Sequence, residues 1–404
     1  MKPQIKIIDY NYNLPEEKIA KYPLENRDDS KILIFKDNSI GESKFSNLAE
    51  LLPDNSLLVF NITKVVPARM IFKKESGAII EIFCLEPYNP SEYNRSFDSK
   101  NSCSWIVVIG NAKRWKSGYV LFDSQANKDL ESLYLTAQIE ERIDDKFIVR
   151  FNWRGENSFS EVMDLCGKVP IPPYLKRDSQ ALDTERYQTM YATHRGSVAA
   201  PTAGLHFTQN VIDEIDKKSI KRENVSLHVG AGTFIPVKSE TIQDHKMHSE
   251  PFSITINVLT EILEKQRSGL PVISVGTTTT RTLESLYYLG IQCLEEGFPS
   301  NVSQWEPYNR SLYYSTEESI NALINWMKSE SIDTLERRTE IIIVPGYKFR
   351  IVDILITNFH QPQSTLLLLI SSFIGDSWRD LYNYALSNEF RFLSYGDSSI
   401  LFRS

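Results

Sequence analysis

Val272-Ile273-Ser274-Val275-Gly276-Thr277-Thr278-Thr279-Thr280-Arg281-Thr282-Leu283-Glu284-Ser285 decides the fold class. A short apolar, β-branched run reads as a strand, Gly276 ends it, and the hydroxyl-rich stretch leads into a helix. The handover recurs upstream, where residues 225–229 read as a strand ending at Gly230-Ala231-Gly232. It recurs downstream, where residues 351–356 meet Thr357-Asn358-Phe359-His360. Strands that pass into glycine and hydroxyl residues mark an α/β architecture, whose ligand sites lie just beyond the strand ends.

Ahead of these segments stands Pro201-Thr202-Ala203-Gly204-Leu205-His206-Phe207-Thr208. Arg195-Gly196-Ser197-Val198 precedes it, and Leu227-His228-Val229-Gly230-Ala231-Gly232-Thr233-Phe234 follows. Taken singly, these glycines mark turns and these histidines are core or surface groups. Hydroxyl, glycine and histidine recur together in several separate segments, however, and that combination points to a ligand. Thr208 is placed to cap a helix over residues 209–218, with Val211, Ile212 and Ile215 on its apolar face.

The rest of the chain divides by pattern. Residues 14–20 read as a short helix with proline in its first turn, and 31–35 and 57–61 as strands. From Ala68 to Phe151 short β-rich runs alternate with Asn, Ser, Asp and Gly, the pattern of a small barrel or sandwich. Within it, residues 86–103 read as a polar loop insertion. We therefore expect a discontinuous α/β main domain over 1–67 and 152–404, with an inserted β-barrel domain over 68–151. Residues 293–337, with Trp305, Tyr308, Tyr313, Tyr314 and Trp326, read as an accessory insertion, and 341–344 as a further strand.

Composition excludes several functions. The 404 residues carry a formal charge of −7, which rules out a globally basic nucleic-acid coat but leaves room for local basic patches. Cys84, Cys103, Cys166 and Cys293 have neither disulfide-framework nor zinc spacing, which suits a reducing cytoplasm. No apolar secretion segment opens the chain, and no apolar run is long enough to cross a bilayer. Rossmann, P-loop and zinc-helix motifs are absent. His245 and His248 are spaced to share a metal on a helix, but no third ligand accompanies them, so no metal is expected.

In order along the chain, Val65-Val66-Pro67-Ala68-Arg69, Ile171-Pro172-Pro173-Tyr174, Asp183-Thr184-Glu185-Arg186-Tyr187-Gln188-Thr189, the 196–208 and 227–234 segments, and His248-Ser249-Glu250 stand as distinct elements. Gly276-Thr277-Thr278, Arg281-Thr282-Leu283-Glu284-Ser285, Pro345-Gly346-Tyr347, Thr357-Asn358-Phe359-His360, Ser364-Thr365-Leu366 and Ser394-Tyr395-Gly396-Asp397 follow. This ordered set closely resembles the S-adenosylmethionine:tRNA ribosyltransferase-isomerase family of queuosine biosynthesis.

The resemblance implies a barrel-like mixed α/β main domain with an inserted small β-barrel. It implies transfer and isomerisation of the ribosyl moiety of S-adenosylmethionine onto 7-aminomethyl-7-deazaguanine at the tRNA wobble position. Epoxyqueuosine-tRNA forms, and adenine and methionine leave. S-adenosylmethionine is then a consumed cosubstrate, with no retained cofactor, and the protein is expected to act as a cytoplasmic monomer. A sulfonium acidifies the adjoining ribose carbon, so the protein must supply a proton acceptor and exact placement.

His206, His228, His248 and His360 are the acid/base candidates, with Glu250 as a partner. Arg69, Arg195, Thr202, Gly204, Thr208, Gly230, Gly232, Thr233, Thr277, Thr278, Arg281 and Asn358 are the substrate-binding candidates. Lys113, Arg114, Lys116, Lys176, Arg177, Lys217, Lys218, Lys221 and Arg222 are the basic candidates for tRNA. Two departures from the family pattern stand out. Asn61-Ile62-Thr63-Lys64 replaces the family's Asn-Asp-Thr-Arg, and Gln361 and Gln363 replace apolar and basic residues. A methyltransferase would carry a nucleotide-binding glycine loop, and a catalytically decayed relative would bind tRNA without releasing adenine.

Overall fold

The computed structural model describes residues 2–123, 128–230, 237, 239–310 and 313–403. Among them, nine strands form the main sheet, in the order Thr334–Thr339, Glu250–Thr255, Lys221–Leu227, Leu57–Asn61, Val272–Val275, Ile354–Asn358, Ser398–Phe402, Lys31–Lys36 and Ser39–Lys44. The four strands from Lys221–Leu227 to Ile354–Asn358 run parallel. Leu57–Asn61, Val272–Val275 and Ile354–Asn358 are buried along their whole length. Burial on both faces explains why these strands read as continuous rather than alternating apolar runs.

Successive side chains enter opposite layers. Leu57 and Val59 join a core with Leu283, Ile262, Leu323 and Leu367, whereas Leu58 and Phe60 join one with Val211, Ile215 and Leu48. Helices Ile256–Ser268, Thr277–Glu296, Thr316–Ser329 and Thr365–Ile374 thus cover one face, and Gln209–Asp216 and Leu48–Leu51 cover the other. All four parallel strands end on one edge, at Leu227, Asn61, Val275 and Asn358.

The second unit is a closed antiparallel barrel. Among the described residues it takes in Arg69–Lys73, Ile79–Asn89, Ser102–Gly110, Lys146–Asn152, Thr136–Ile143 and Tyr119–Phe122. It closes where Phe72 and Lys73 pair with Phe122 and Leu121. Trp105, Trp115, Phe72 and Phe151 fill its core. That core runs past residue 151, because helix Phe159–Cys166 adds Phe159, Val162 and Met163, and Gly167–Lys168 pairs with Arg69 and Met70. A capping box starts this helix: Ser158 accepts from the Glu161 N–H, and Glu161 accepts from the Ser158 N–H.

Several sequence expectations change. Residues 86–103 are no loop insertion: strand Ile79–Asn89 runs into them, helix Tyr93–Phe97 buries Phe97 in the barrel, and the next strand begins at Ser102. Residues 293–337 do not stand apart as an accessory piece. Ile320, Leu323 and Met327 of helix Thr316–Ser329 fill the main core, and Thr334–Thr339 is an edge strand of the main sheet. Ile341–Val344 is buried but lies in no strand; the Ile341 N–H donates to Thr339 Oγ1 and the Ile342 N–H to the Gln304 carbonyl. The helix expected at 14–20 shrinks to the turn Glu16–Lys18. No helix among the described residues is long and apolar enough to cross a membrane.

Helix Thr277–Glu296 packs against Thr316–Ser329 with a close backbone approach at Gly290. A Cβ on Gly290 would lie 2.1 Å from the Ser319 carbonyl oxygen, and Ser319 Oγ donates to the Tyr287 carbonyl at 2.5 Å. Gly290→Ala is expected to lower unfolding free energy in urea by about 1–3 kcal/mol through overpacking. A loss below about 0.5 kcal/mol, the range of a neutral surface change, would contradict this packing.

Candidate active site

At the carboxyl edge of the parallel strands the chain turns polar around a cleft open to solvent. Gly276 forms one lip, held by its N–H to the Ile356 carbonyl at 2.8 Å. Its φ of +91° with ψ of 151° is a conformation that only glycine adopts readily. Helix Thr277–Glu296 begins there with no side-chain cap, so its first N–H groups and the positive end of its dipole are left for a partner. Thr277 and Thr278 border the cleft beside them.

Thr202, Ala203, Thr357, Asn358 and His360 also line the cleft, and Ala203 lies close beside Gly276. Asn358 Nδ2 donates to the carbonyls of Leu393 and Ser394 at 2.9 and 3.4 Å, tying the C-terminal turn to the strand end. Ser394 shares a 2.5 Å hydrogen bond with the Tyr174 hydroxyl, and both side chains line the cleft. His360 Nε2 is 3.0 Å from Thr357 Oγ1. The His360 backbone is clamped, its N–H donating to Tyr382 at 3.0 Å and its carbonyl accepting from Tyr12 at 2.5 Å. Burial pushes its imidazole down to about 3, so the ring is neutral at neutral pH.

The remaining sequence candidates separate by position. His206 lies behind the wall, 2.9 Å from Ser30 Oγ through Nδ1, and burial lowers it to about 4. Gly204 is required by packing, since a Cβ there would meet the Tyr191 hydroxyl at 2.0 Å. Thr208 caps helix Gln209–Asp216, accepting from the Val211 N–H, and donates to Asp28 at 2.7 Å. Glu250 and Arg281 form a buried ion pair at 2.5 Å, with Arg281 Nε donating to the Ile341 carbonyl. Gly230 follows the end of Lys221–Leu227. Gly232 and Thr233 lie outside the described residues.

His228, His248, Arg195 and Arg69 stand elsewhere. His228 stacks on Tyr93 of the barrel, with ring centroids 4.3 Å apart and planes 7° apart, and burial lowers it to about 4. Gly196, at φ +134°, makes room for it: a Cβ there would be 2.5 Å from His228 Nδ1. His248 is exposed in the seam near Lys146 of the barrel. Arg195 crosses the same seam to Asp164 at 2.6 Å, and Arg69 pairs with Glu81 within the barrel. Among the described residues, no group of three or more His, Cys, Asp or Glu is placed to hold a metal ion.

The basic candidates divide too. Lys113, Arg114 and Lys116 are exposed on the turn after Ser102–Gly110, at the barrel end remote from Tyr93. Arg177 is nearly buried and bonds both oxygens of Asp183 at 2.7 Å, while Lys176 meets Glu16 at 2.7 Å. Lys217 pairs with Glu214, Lys218 with Asp54, Lys221 with Glu261 and Arg222 with Asp216. These last four lie where Lys221–Leu227 begins, on the sheet edge opposite the cleft.

The departures from the family pattern fall mostly outside the cleft. Ile62 packs against the core beneath Gln209–Asp216, and Lys64 borders a groove with Arg27 and Glu185. Only Gln361 lines the cleft; Gln363 is held by its N–H to the Tyr10 carbonyl. Tyr174, Thr357, Ser394 and Tyr93 were not among the sequence candidates. The first three sit in segments already singled out as distinct, whereas Tyr93 lies in a polar stretch without periodicity.

A cleft of hydroxyls, an amide and a helix N-terminus at the carboxyl edge of a parallel sheet defines a binding site for a polar small molecule. The family described as queuosine biosynthesis protein matches residues 7–401, and the chain belongs to it. A Trichlorobacter lovleyi protein named S-adenosylmethionine:tRNA ribosyltransferase-isomerase is 35% identical, covering 97% of this chain and 98% of its own. A Legionella pneumophila protein of the same name is 38% identical over 97% of this chain and 98% of its own. The crystal structure of an S-adenosylmethionine tRNA ribosyltransferase from Thermotoga maritima aligns with 97% of this chain and 99% of its own, at 24% identity and a TM-score of 0.47.

The depressed histidines couple stability to pH. A folded pKa below the unfolded value of about 6.5 means that the unfolded chain binds more protons as pH falls, so stability is full above that value and lost on acidification. For His360 the window runs from about 6.5 down to about 3. Between pH 7 and 5, wild type should lose about 2 kcal/mol more unfolding free energy than His360→Asn. Equal losses in urea titrations would show that His360 titrates normally in the folded protein.

Proposed function

We propose that this chain transfers and isomerises the ribosyl moiety of S-adenosylmethionine onto 7-aminomethyl-7-deazaguanine at the tRNA wobble position. Epoxyqueuosine-tRNA is formed, and adenine and methionine are released. The observation that carries this reading is near end-to-end similarity to proteins bearing the ribosyltransferase-isomerase name. S-adenosylmethionine is a consumed cosubstrate rather than a methyl donor, and no other cofactor is retained. We take the active protein to be a cytoplasmic monomer.

In this reading the cleft at Gly276 and Asn358 takes S-adenosylmethionine. The N–H groups opening helix Thr277–Glu296 meet negative charge, and the hydroxyls of Thr202, Thr277 and Thr278 meet the ribose. His360 lines the cleft and carries a neutral ring, so it is our choice for the proton acceptor beside the sulfonium. Burial keeps its basicity low, and an anionic substrate group beside it raises it. The Tyr174–Ser394 pair can donate to the departing adenine, where charge grows as the bond breaks.

His206, Glu250, Arg281 and Thr208 hold the walls, and His228 and Arg195 join the barrel to the main sheet. For tRNA, the exposed Lys113, Arg114 and Lys116 are the better basic candidates of the sequence set. Lys217, Lys218, Lys221 and Arg222 are already paired and face away from the cleft, and Arg177 serves Asp183.

The test incubates purified protein with S-adenosylmethionine and tRNA carrying 7-aminomethyl-7-deazaguanine, and quantifies adenine, methionine and nucleoside mass together. Equal release of adenine and methionine with formation of epoxyqueuosine is expected. S-adenosylhomocysteine as product would instead make the chain a methyltransferase, and tRNA binding with no product would make it a decayed relative.

A further inference from the structure

Behind the wall that carries Ser394 lies a second recess, lined by Arg27, Arg186 and Arg391 together with His206 and Tyr395. Ser394 borders both this recess and the cleft, so the two are separated by one residue's thickness. We propose that the three guanidinium groups form an oxyanion site for a backbone phosphate of the RNA, next to the nucleotide being modified. The inference rests on tRNA being the substrate and assigns it a contact outside the lysine and arginine runs of the sequence.

The charges in the recess are poorly compensated. Arg27 donates to the neutral carbonyls of Gln188 at 2.5 Å and Glu185 at 3.1 Å. Arg186 Nη2 donates to the Leu24 carbonyl at 2.5 Å, and its buried Nε has no hydrogen-bond partner among the described residues. Arg186 stands close enough to Arg27 to disfavour its charge, beyond the effect of burial itself. The acid nearest Arg27 in effect is Glu185, which is exposed to solvent.

Arg391 has one carboxylate, Asp397, at 3.9 Å. Asp397 is already shared, accepting from the Arg391 N–H at 2.7 Å and the Lys31 N–H at 3.0 Å. Asp183 is unavailable, since Arg177 and the Tyr395 hydroxyl occupy it. His206, facing the same recess, is neutral and adds no negative charge. Backbone carbonyls orient guanidinium groups but leave their mutual repulsion in place, and a phosphate or carboxylate relieves it through forked hydrogen bonds.

Two oxyanions are available: a phosphodiester of the tRNA, and the carboxylate of S-adenosylmethionine. We assign the phosphodiester because the cleft already offers the helix N-terminus to the smaller substrate, and because flanking nucleotides must pass beside the site when the base enters it.

The experiment compares wild type with Arg186→Gln and Arg186→Lys in the full chain. Binding of tRNA carrying 7-aminomethyl-7-deazaguanine is measured by filter retention over a range of NaCl, without S-adenosylmethionine. Binding of S-adenosylmethionine is measured separately by equilibrium dialysis, and thermal melting reports whether each variant is folded. Arg186→Gln is expected to weaken tRNA binding about tenfold and to reduce the slope of log affinity against log salt by about 0.7–0.9, with S-adenosylmethionine binding unchanged. Arg186→Lys keeps the charge and should retain the salt slope while losing part of the affinity.

If S-adenosylmethionine binding falls and tRNA binding does not, the recess serves the carboxylate and the proposal is overturned. Unchanged tRNA binding in folded Arg186→Gln overturns it as well. Should Arg186→Gln fail to fold, tRNA binding by Arg186→Lys equal to wild type in both affinity and salt slope overturns it. Failure of wild type to bind this tRNA at all would instead overturn the functional reading on which the proposal rests.

Discussion

Burial of the central parallel strands on both faces is the constraint on which the molecule depends. Leu57, Leu58, Ile273, Leu355 and Ile356 are fully enclosed, and each such side chain contributes about 1.5–3 kcal/mol relative to exposure. A strand enclosed this way has no room for unpaired polar groups until it ends. Asn61, Gly276 and Asn358 therefore sit at or just beyond strand ends, where the two side-chain amides find acceptors for their N–H groups. Asn61 donates to the Leu227 carbonyl and Asn358 to the Leu393 carbonyl, and Gly276 starts a helix. The cleft is a consequence of how the core ends.

The barrel meets this core along a seam that depends on a few specific contacts. Tyr93 stacks on His228, Glu86 accepts from Arg338 at 3.0 Å, and Asp164 accepts from Arg195 at 2.6 Å. Arg338 also donates to both the hydroxyl and the carbonyl of Ser249 at the foot of strand Glu250–Thr255. The seam is thus tied to the strand that carries Glu250, and through Arg281 to the helix whose N-terminus opens the cleft. Hydrogen bonds and the backbone step from Ser249 to Glu250 thus connect the barrel to that helix.

How much of this was legible in the sequence follows from the range of each signal. Strand 272–275 and the helix after Gly276 were readable because burial and a glycine are local signals. The place of Asn358 and His360 at the cleft was readable from their position after an apolar run. Tyr93 was not, because its partner His228 is distant in sequence and the stretch around it has no periodicity. Arg177 resembled a surface cation until Asp183 and Tyr395 enclosed it, and the aromatic segment around Trp326 resembled an insertion until its apolar face met Thr277–Glu296. Paired lysines and arginines look alike in a sequence whether they face RNA or a neighbouring carboxylate.

The central claim is that S-adenosylmethionine binds where the parallel strands end, and amide hydrogen exchange tests it most directly. On addition of S-adenosylmethionine, slowed exchange should concentrate at Gly276–Thr279 and Thr357–Ser364, with the barrel strands unchanged. Protection confined to the barrel, or to the opposite sheet edge around Lys217–Arg222, would contradict the account.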